Sequence, residues 1–188
     1  MLSVKTRQQY LKELNLYNGK VDGITGELTR AAYIKLQKRY FKRDRDLDGV
    51  YGFNTERLLV NAYRVHKHTK NFNLEEFRCG CRNYCNGYSS LLDIDLLKNL
   101  QKVRDEFGAV TITSGIRCGK HNEAVGGITN SKHTVGKAAD IKCSICGSEE
   151  GRIKVMRFWK TLPQQNYTYC NIKGSYPQMA NAIHIDVR

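Results

Sequence analysis

Two stretches, SKHTVGKAAD (131–140) and AIHIDVR (182–188), decide how the second half of this chain folds. In AIHIDV the apolar and polar residues alternate with the period of two of a β-strand. Ile183, Ile185 and Val187 fall on one face, His184 and Asp186 on the other. AADIKC (138–143) behaves alike, with Ala139 and Ile141 sharing a face and Asp140 projecting from the opposite one. If the two strands are neighbours, Asp140 and His184 open into a common cleft, which His133 reaches from the turn around Gly136. Two imidazoles and one carboxylate leave the fourth tetrahedral position free for water, the arrangement used by catalytic Zn²⁺ rather than by a closed structural site. Zinc bound in this way brings the pKa of water down to about 7 and polarises a carbonyl. The same alternation also describes polar residues on the wetted face of an edge sheet.

Outward from these strands the pattern changes type. LLDIDLLKNLQKVRDEFG (91–108) places Leu92, Leu96, Leu100, Val103 and Phe107 on one helical stripe that ends before Gly108. AVTITSG predicts a strand entering a turn, and EEGRIKVMRFWKTL a helix buried through Ile153, Met156 and Trp159. Together these elements predict an α+β domain with a central antiparallel sheet.

The first segment is repetitive. VDGITGELT (21–29) recurs as LDGVYGFNT (47–55), sharing D-G-x-x-G-x-x-T. In each copy Asp-Gly and the second glycine permit a tight turn before an apolar-periodic run. The runs are Ala32, Tyr33, Leu36 and Tyr40 after the first, and Leu58, Leu59 and Ala62 after the second. With an earlier helical run through Tyr10, Leu11 and Leu14, this predicts a small three-helix domain over 1–66, followed by the α+β domain over 67–188. VHKHTKNFN (65–73) is polar and is expected to be the linker, with His66 and His68 solvated.

Charge narrows the partners. The net charge is +13; residues 1–70 carry fifteen basic against seven acidic residues and residues 71–188 sixteen against eleven, so both halves are basic. Such a field favours a polyanion: nucleic acid, anionic lipid, or a wall polymer bearing phosphates and carboxylates. Nucleic acid is disfavoured because no basic helix or aromatic platform is recognisable. No stretch approaches the ~20 apolar residues of a membrane span, and MLSVKTRQQYLKELNLY has no apolar signal region. Membrane insertion is therefore not expected, and a monomer is. All seven cysteines lie between 79 and 170. Without a signal peptide a complete disulfide framework is not expected. FRCGCRNYC, CSIC and Cys118 do not form the paired C-x2-C of a zinc ribbon, so the expectation is buried thiols under the site, with a structural metal or disulfides as alternatives.

Two resemblances sharpen these readings. Asn18 to Thr29 with Leu36-Gln37 resembles the peptidoglycan-binding domain found at one end of many wall hydrolases, over roughly residues 5 to 64. NFNLEEF, ITSGIR, HNEAVGG, NSKHTVGKAADI and HIDVR, in this order, resemble the zinc D-Ala-D-Ala carboxypeptidase and L-alanyl-D-glutamate endopeptidase family over residues 71 to 188. Phage endolysins and the hedgehog signalling domain are relatives. This second resemblance implies His133, Asp140 and His184 as zinc ligands, with Arg117 and Ser131 facing the substrate and Arg117 suited to a developing oxyanion. Many members carry a general-base Glu three positions before the last histidine, where this chain has Asn181. Asp186 is then the expected acceptor of the water's proton, or else a residue that orients a ligand histidine. The function implied is a zinc peptidase cutting the stem peptide of bacterial peptidoglycan, of the endolysin kind. It would be made in the host cytoplasm and reach the wall, with its anionic polymers, after holin-type release. The alternative is a non-catalytic, zinc-containing wall-binding module.

Overall fold

Each D-G-x-x-G-x-x-T repeat winds around a buried glutamine, and this fixes the first third of the molecule. The computed structural model describes residues 1–188. Helices α1 (Val4–Glu13), α2 (Glu27–Tyr40) and α3 (Phe53–His68) are joined by the two repeats. Gln8 of α1 donates to Asp22 Oδ1 (2.9 Å), Ile24 O (3.0 Å) and Thr29 Oγ1 (3.2 Å), and accepts from the Gly23 amide (2.9 Å). Gln37 of α2 repeats the set on Asp48 Oδ1 (2.8 Å), Val50 O (3.3 Å), Thr55 Oγ1 (3.0 Å) and the Gly49 amide (2.9 Å). Gly23 and Gly49 have φ of 84° and 67°, a region open to glycine and strained for other residues. The motif thus recurs because each copy satisfies one buried amide completely.

The expected linker is helix instead. α3 continues through His68 and stops at Thr69, because VHKH contains no glycine or proline and its basic residues complement the carbonyl end of the helix dipole. The expected boundary between residues 66 and 67 falls inside its last turn. Val65 and Phe72 are buried, and one apolar cluster runs from Leu11, Leu36 and Leu58 through Phe77 to Leu96 and Trp159. Polar contacts cross the same seam. Asn61 donates to Ser90 O (2.9 Å) and accepts from the Leu92 amide (2.8 Å), while Arg78 Nη1 donates to Tyr40 O (2.6 Å).

The remainder is α+β. Helices α4 (Ile94–Phe107), α5 (Gly119–Ala124) and α6 (Glu149–Lys160) accompany strands β1 (Val110–Ser114), β2 (Ala138–Cys143), β3 (Gln165–Cys170) and β4 (Ile183–Val187). The strands form one antiparallel sheet in the order β1-β2-β4-β3. Asp93 caps α4, its carboxylate accepting from the amides of Asp95 (2.8 Å) and Leu96 (3.4 Å). α4 buries Leu96, Leu97, Leu100 and Val103. α6 buries Arg152, Val155 and Trp159, whereas Ile153 and Met156, expected in the core, are half-buried. The helix is rotated toward Arg152 because that guanidinium is itself needed inside, donating to Cys146 O (3.0 Å) and Asn171 O (3.0 Å). No helix is long and apolar enough to cross a membrane.

Candidate metal centre

Register brings the chemistry together. In the β2–β4 pairing Asp140 stands opposite His184 and Ala138 opposite Asp186, so these residues share one face of the sheet, and Ile141, Ile183 and Ile185 are buried. His133 arrives from the short 3-10 turn Lys132–Val135, which closes on Gly136 at φ 73°. A side chain at Gly136 would run into the Leu91 carbonyl, so the return from the turn into β2 requires glycine. His133, Asp140 and His184 are all buried, and their ligating atoms converge.

The distances define a small triangle. His184 Nδ1 lies 2.8 Å from Asp140 Oδ1, and His133 Nε2 lies 3.3 Å from both Asp140 Oδ1 and His184 Nδ1. Ligands bound tetrahedrally at about 2.0–2.1 Å stand about 3.3 Å apart, which is the size of this triangle. The outer ring nitrogens have acceptors of their own. His133 Nδ1–H donates to Gly115 O (2.7 Å), and His184 Nε2–H donates to Asp186 Oδ2 (3.2 Å). The inner nitrogens converge on one carboxylate oxygen, at which protons on the rings and a metal ion would compete. The donor set of two imidazoles and one carboxylate fits zinc.

Charge is tuned around the triangle. Burial alone would raise the Asp140 carboxyl, but hydrogen bonds from His133 and His184 override it and hold the group far below the usual carboxylate range. Burial would likewise lower His184, yet its bonds to Asp140 and Asp186 leave it raised. Arg117 belongs to the same network. Its Nη2 donates to Asp140 Oδ2 at 2.6 Å and its Nε to Ser114 Oγ at 2.8 Å. In this structure the guanidinium therefore braces the carboxylate of the triangle.

Asp186 lies away from the point where the triangle's ligating atoms meet. It contacts the opposite edge of the His184 ring, and its other oxygen accepts from Asn166 Nδ2 (2.8 Å) and the Tyr167 amide (2.8 Å). Burial opposes its ionisation, but these donors keep the carboxyl below its ordinary value. Of the two roles expected for Asp186, this contact matches the orienting one, because β4 points His184 Nδ1 inward and leaves Nε2 for the neighbour two residues on. Asn181 accepts from Arg152 Nη1 at 3.4 Å. Ser131 is buried at the start of the His133 turn, its carbonyl accepting from the Thr134 amide and hydroxyl. His66 and His68 lie on α3 and are not part of the triangle.

Tyr169 is a site residue that the sequence reading missed. It pairs with His184 across β3–β4 and stacks on that ring at 4.8 Å between centroids. Tyr167 and Tyr176 pack against it at 5.6 and 4.7 Å, making an aromatic wall beside the histidine. The signal is the alternation in QNYTYC, a stretch to which the sequence reading assigned no element.

A buried triangle of two imidazoles and one carboxylate that could hold a metal ion, set against an antiparallel sheet, is the class of site that the fold defines. The chain belongs to the family described as Peptidase M15, whose model matches residues 70–186 and so leaves the first helices outside the match. M15 peptidases are zinc-dependent, and the membership supports a metallopeptidase acting on peptidoglycan-type substrates. No curated protein matches the chain.

Proposed function

We propose that the protein is a zinc peptidase that cuts the stem peptide of bacterial peptidoglycan, with His133, Asp140 and His184 as ligands and the first three helices holding it on the wall. The observation that carries the zinc site is the inward convergence of His133 Nε2, Asp140 Oδ1 and His184 Nδ1 at 2.8 to 3.3 Å, with the outer nitrogen of each ring held by Gly115 O or Asp186. Zinc bound there supplies a water of pKa about 7 and a Lewis acid toward the scissile carbonyl.

The chain's own residues do the rest. Gly115 O and Asp186 hold the two imidazoles in the ligating tautomer and orientation. Arg117 keeps Asp140 aimed, leaving part of its fork for a substrate carboxylate or a developing oxyanion. Tyr167, Tyr169 and Tyr176 offer a wall against which an extended peptide packs. A net charge of +13 draws the protein to the phosphates and carboxylates of the wall. The repeats, with their resemblance to wall-binding domains, support delivery by the first segment and an endolysin-like role after release from the host cytoplasm.

A non-catalytic, zinc-containing wall-binding module is the second reading. It is favoured by Asn181 in place of an acid and by the full occupation of Asp186. Mass spectrometry of muropeptides released from purified walls separates the two. New peptide termini that appear with zinc and vanish on chelation are expected, and they name the bond cut. Wall binding without any new terminus would establish the module instead.

A further inference from the structure

A second convergence of metal-ligating atoms lies outside the triangle. Cys79, Cys81 and Cys85 come from the segment between the 3-10 turn Leu74–Phe77 and α4, and Cys118 from the loop after β1; all four Sγ atoms lie within 4.8 Å of one another. Zinc–sulfur bonds of about 2.3 Å place tetrahedral sulfurs about 3.8 Å apart, so the four need only close by a fraction of that spacing. Cys81 and Cys85 are already at 3.4 Å.

Three further features point to a cation at their centre. The sulfurs accept backbone amides, Cys118 N–H to Cys79 Sγ and Gly87 N–H to Cys85 Sγ, both at 3.3 Å, as thiolates do. Residues 78–93 contain no helix or strand, yet Cys79 and Tyr88 are buried and the Cys79 amide donates to Gly87 O (2.8 Å). A structureless stretch of this length needs a staple. Finally, Lys42, Arg43, Arg78 and Arg82 line the adjoining cavity with Glu75 as its only acid, a field matched to the double negative charge of a zinc bound by four thiolates.

We propose that Cys79, Cys81, Cys85 and Cys118 hold a structural zinc, separate from the His133–Asp140–His184 centre, that staples the cysteine segment to the loop carrying Arg117. The expected packing of scattered thiols under the active site gives way to this cluster. Each cysteine loses its proton on binding, no electron is transferred, and all four positions are filled, so the site takes no substrate. Its effect passes along short links. The Ile116 amide donates to Phe77 O (2.9 Å) and the Arg117 amide to His133 O (3.1 Å), so a stapled Cys118 holds both Arg117 and the His133 turn in place.

The experiment is metal counting on the reduced, full-length protein, with cobalt as a spectroscopic substitute. Wild type is expected to bind two zinc ions per chain, Cys81→Ser/Cys85→Ser one, and His133→Ala/His184→Ala one. Cobalt-loaded wild type and the histidine double variant should both show thiolate-to-cobalt charge-transfer absorption. This holds even if the histidine centre fails, which keeps the two proposals distinguishable. Amide exchange at Ile116–Cys118 should quicken in the cysteine double variant. Absence of the charge-transfer band from cobalt-loaded wild type would overturn the proposal, needing no variant to fold. So would an unchanged zinc count in the cysteine variant, or a Cys81–Cys85 disulfide in the freshly isolated protein. Unchanged amide exchange would overturn the stapling role.

Discussion

The first three helices and the sheet both bury polar side chains, and they treat them oppositely. Around Gln8 and Gln37 every donor meets an acceptor, and the paired networks are complete within the protein. Around His133, Asp140 and His184 three potential metal ligands converge at ligand spacing. A network of fixed donors and acceptors specifies a fold, whereas a convergence of ligating atoms marks a place for something the chain does not supply.

Breaking the ligand triangle should have the largest effect. His133→Ala leaves two ligands on a tetrahedral ion, so zinc occupancy at the triangle and peptide turnover should both fall to background while thermal stability changes little. Zinc analysis beside a muropeptide release assay checks this. Turnover retained at full rate would mean that the triangle is not the reaction centre.

Asp186→Asn sharpens the same point at intermediate size. A neutral amide holds a proton on His184 Nε2 more weakly than a carboxylate does, so the ring is less firmly oriented with Nδ1 toward the triangle. Zinc affinity should drop by about 10-fold to 100-fold, with turnover recovering at high zinc. Unchanged affinity with turnover lowered by ~10² to 10⁴ would restore the proton-acceptor role instead.

Gln37→Ala tests the complete network and should act on stability alone. It strands the Gly49 amide and removes the donor to Asp48 and Thr55, at a cost of about 1–3 kcal/mol. A melting temperature lower by several degrees is expected, with zinc content and cleavage of a soluble stem peptide unaltered. Loss of zinc in this variant would show that the two regions are coupled through their shared core.

Much of this contrast was legible in the chain. Period-two alternation placed His184 and Asp186 together on β4 and Asp140 on β2, because a strand's pleat leaves a side chain only two directions. The recurring D-G-x-x-G-x-x-T marked two equivalent loops, because glycine alone tolerates the turn without strain. The helical stripe of α4 was visible for the same local reason. What the sequence could not decide were matters of register and reach. It hid β3, whose tyrosines matter only because Tyr169 is paired opposite His184. It suggested a polar linker where a continuous α3 packs both segments onto one core, since burial of Val65 and Phe72 depends on neighbours far along the chain. It left Asp186 two roles, and only the closed fold shows which edge of the His184 ring its carboxylate meets. The cysteines were scattered letters until β1 and its loop carried Cys118 back to Cys79. Periodicity is a local property that the backbone imposes, whereas a ligand set is a distance in space that only the closed fold measures.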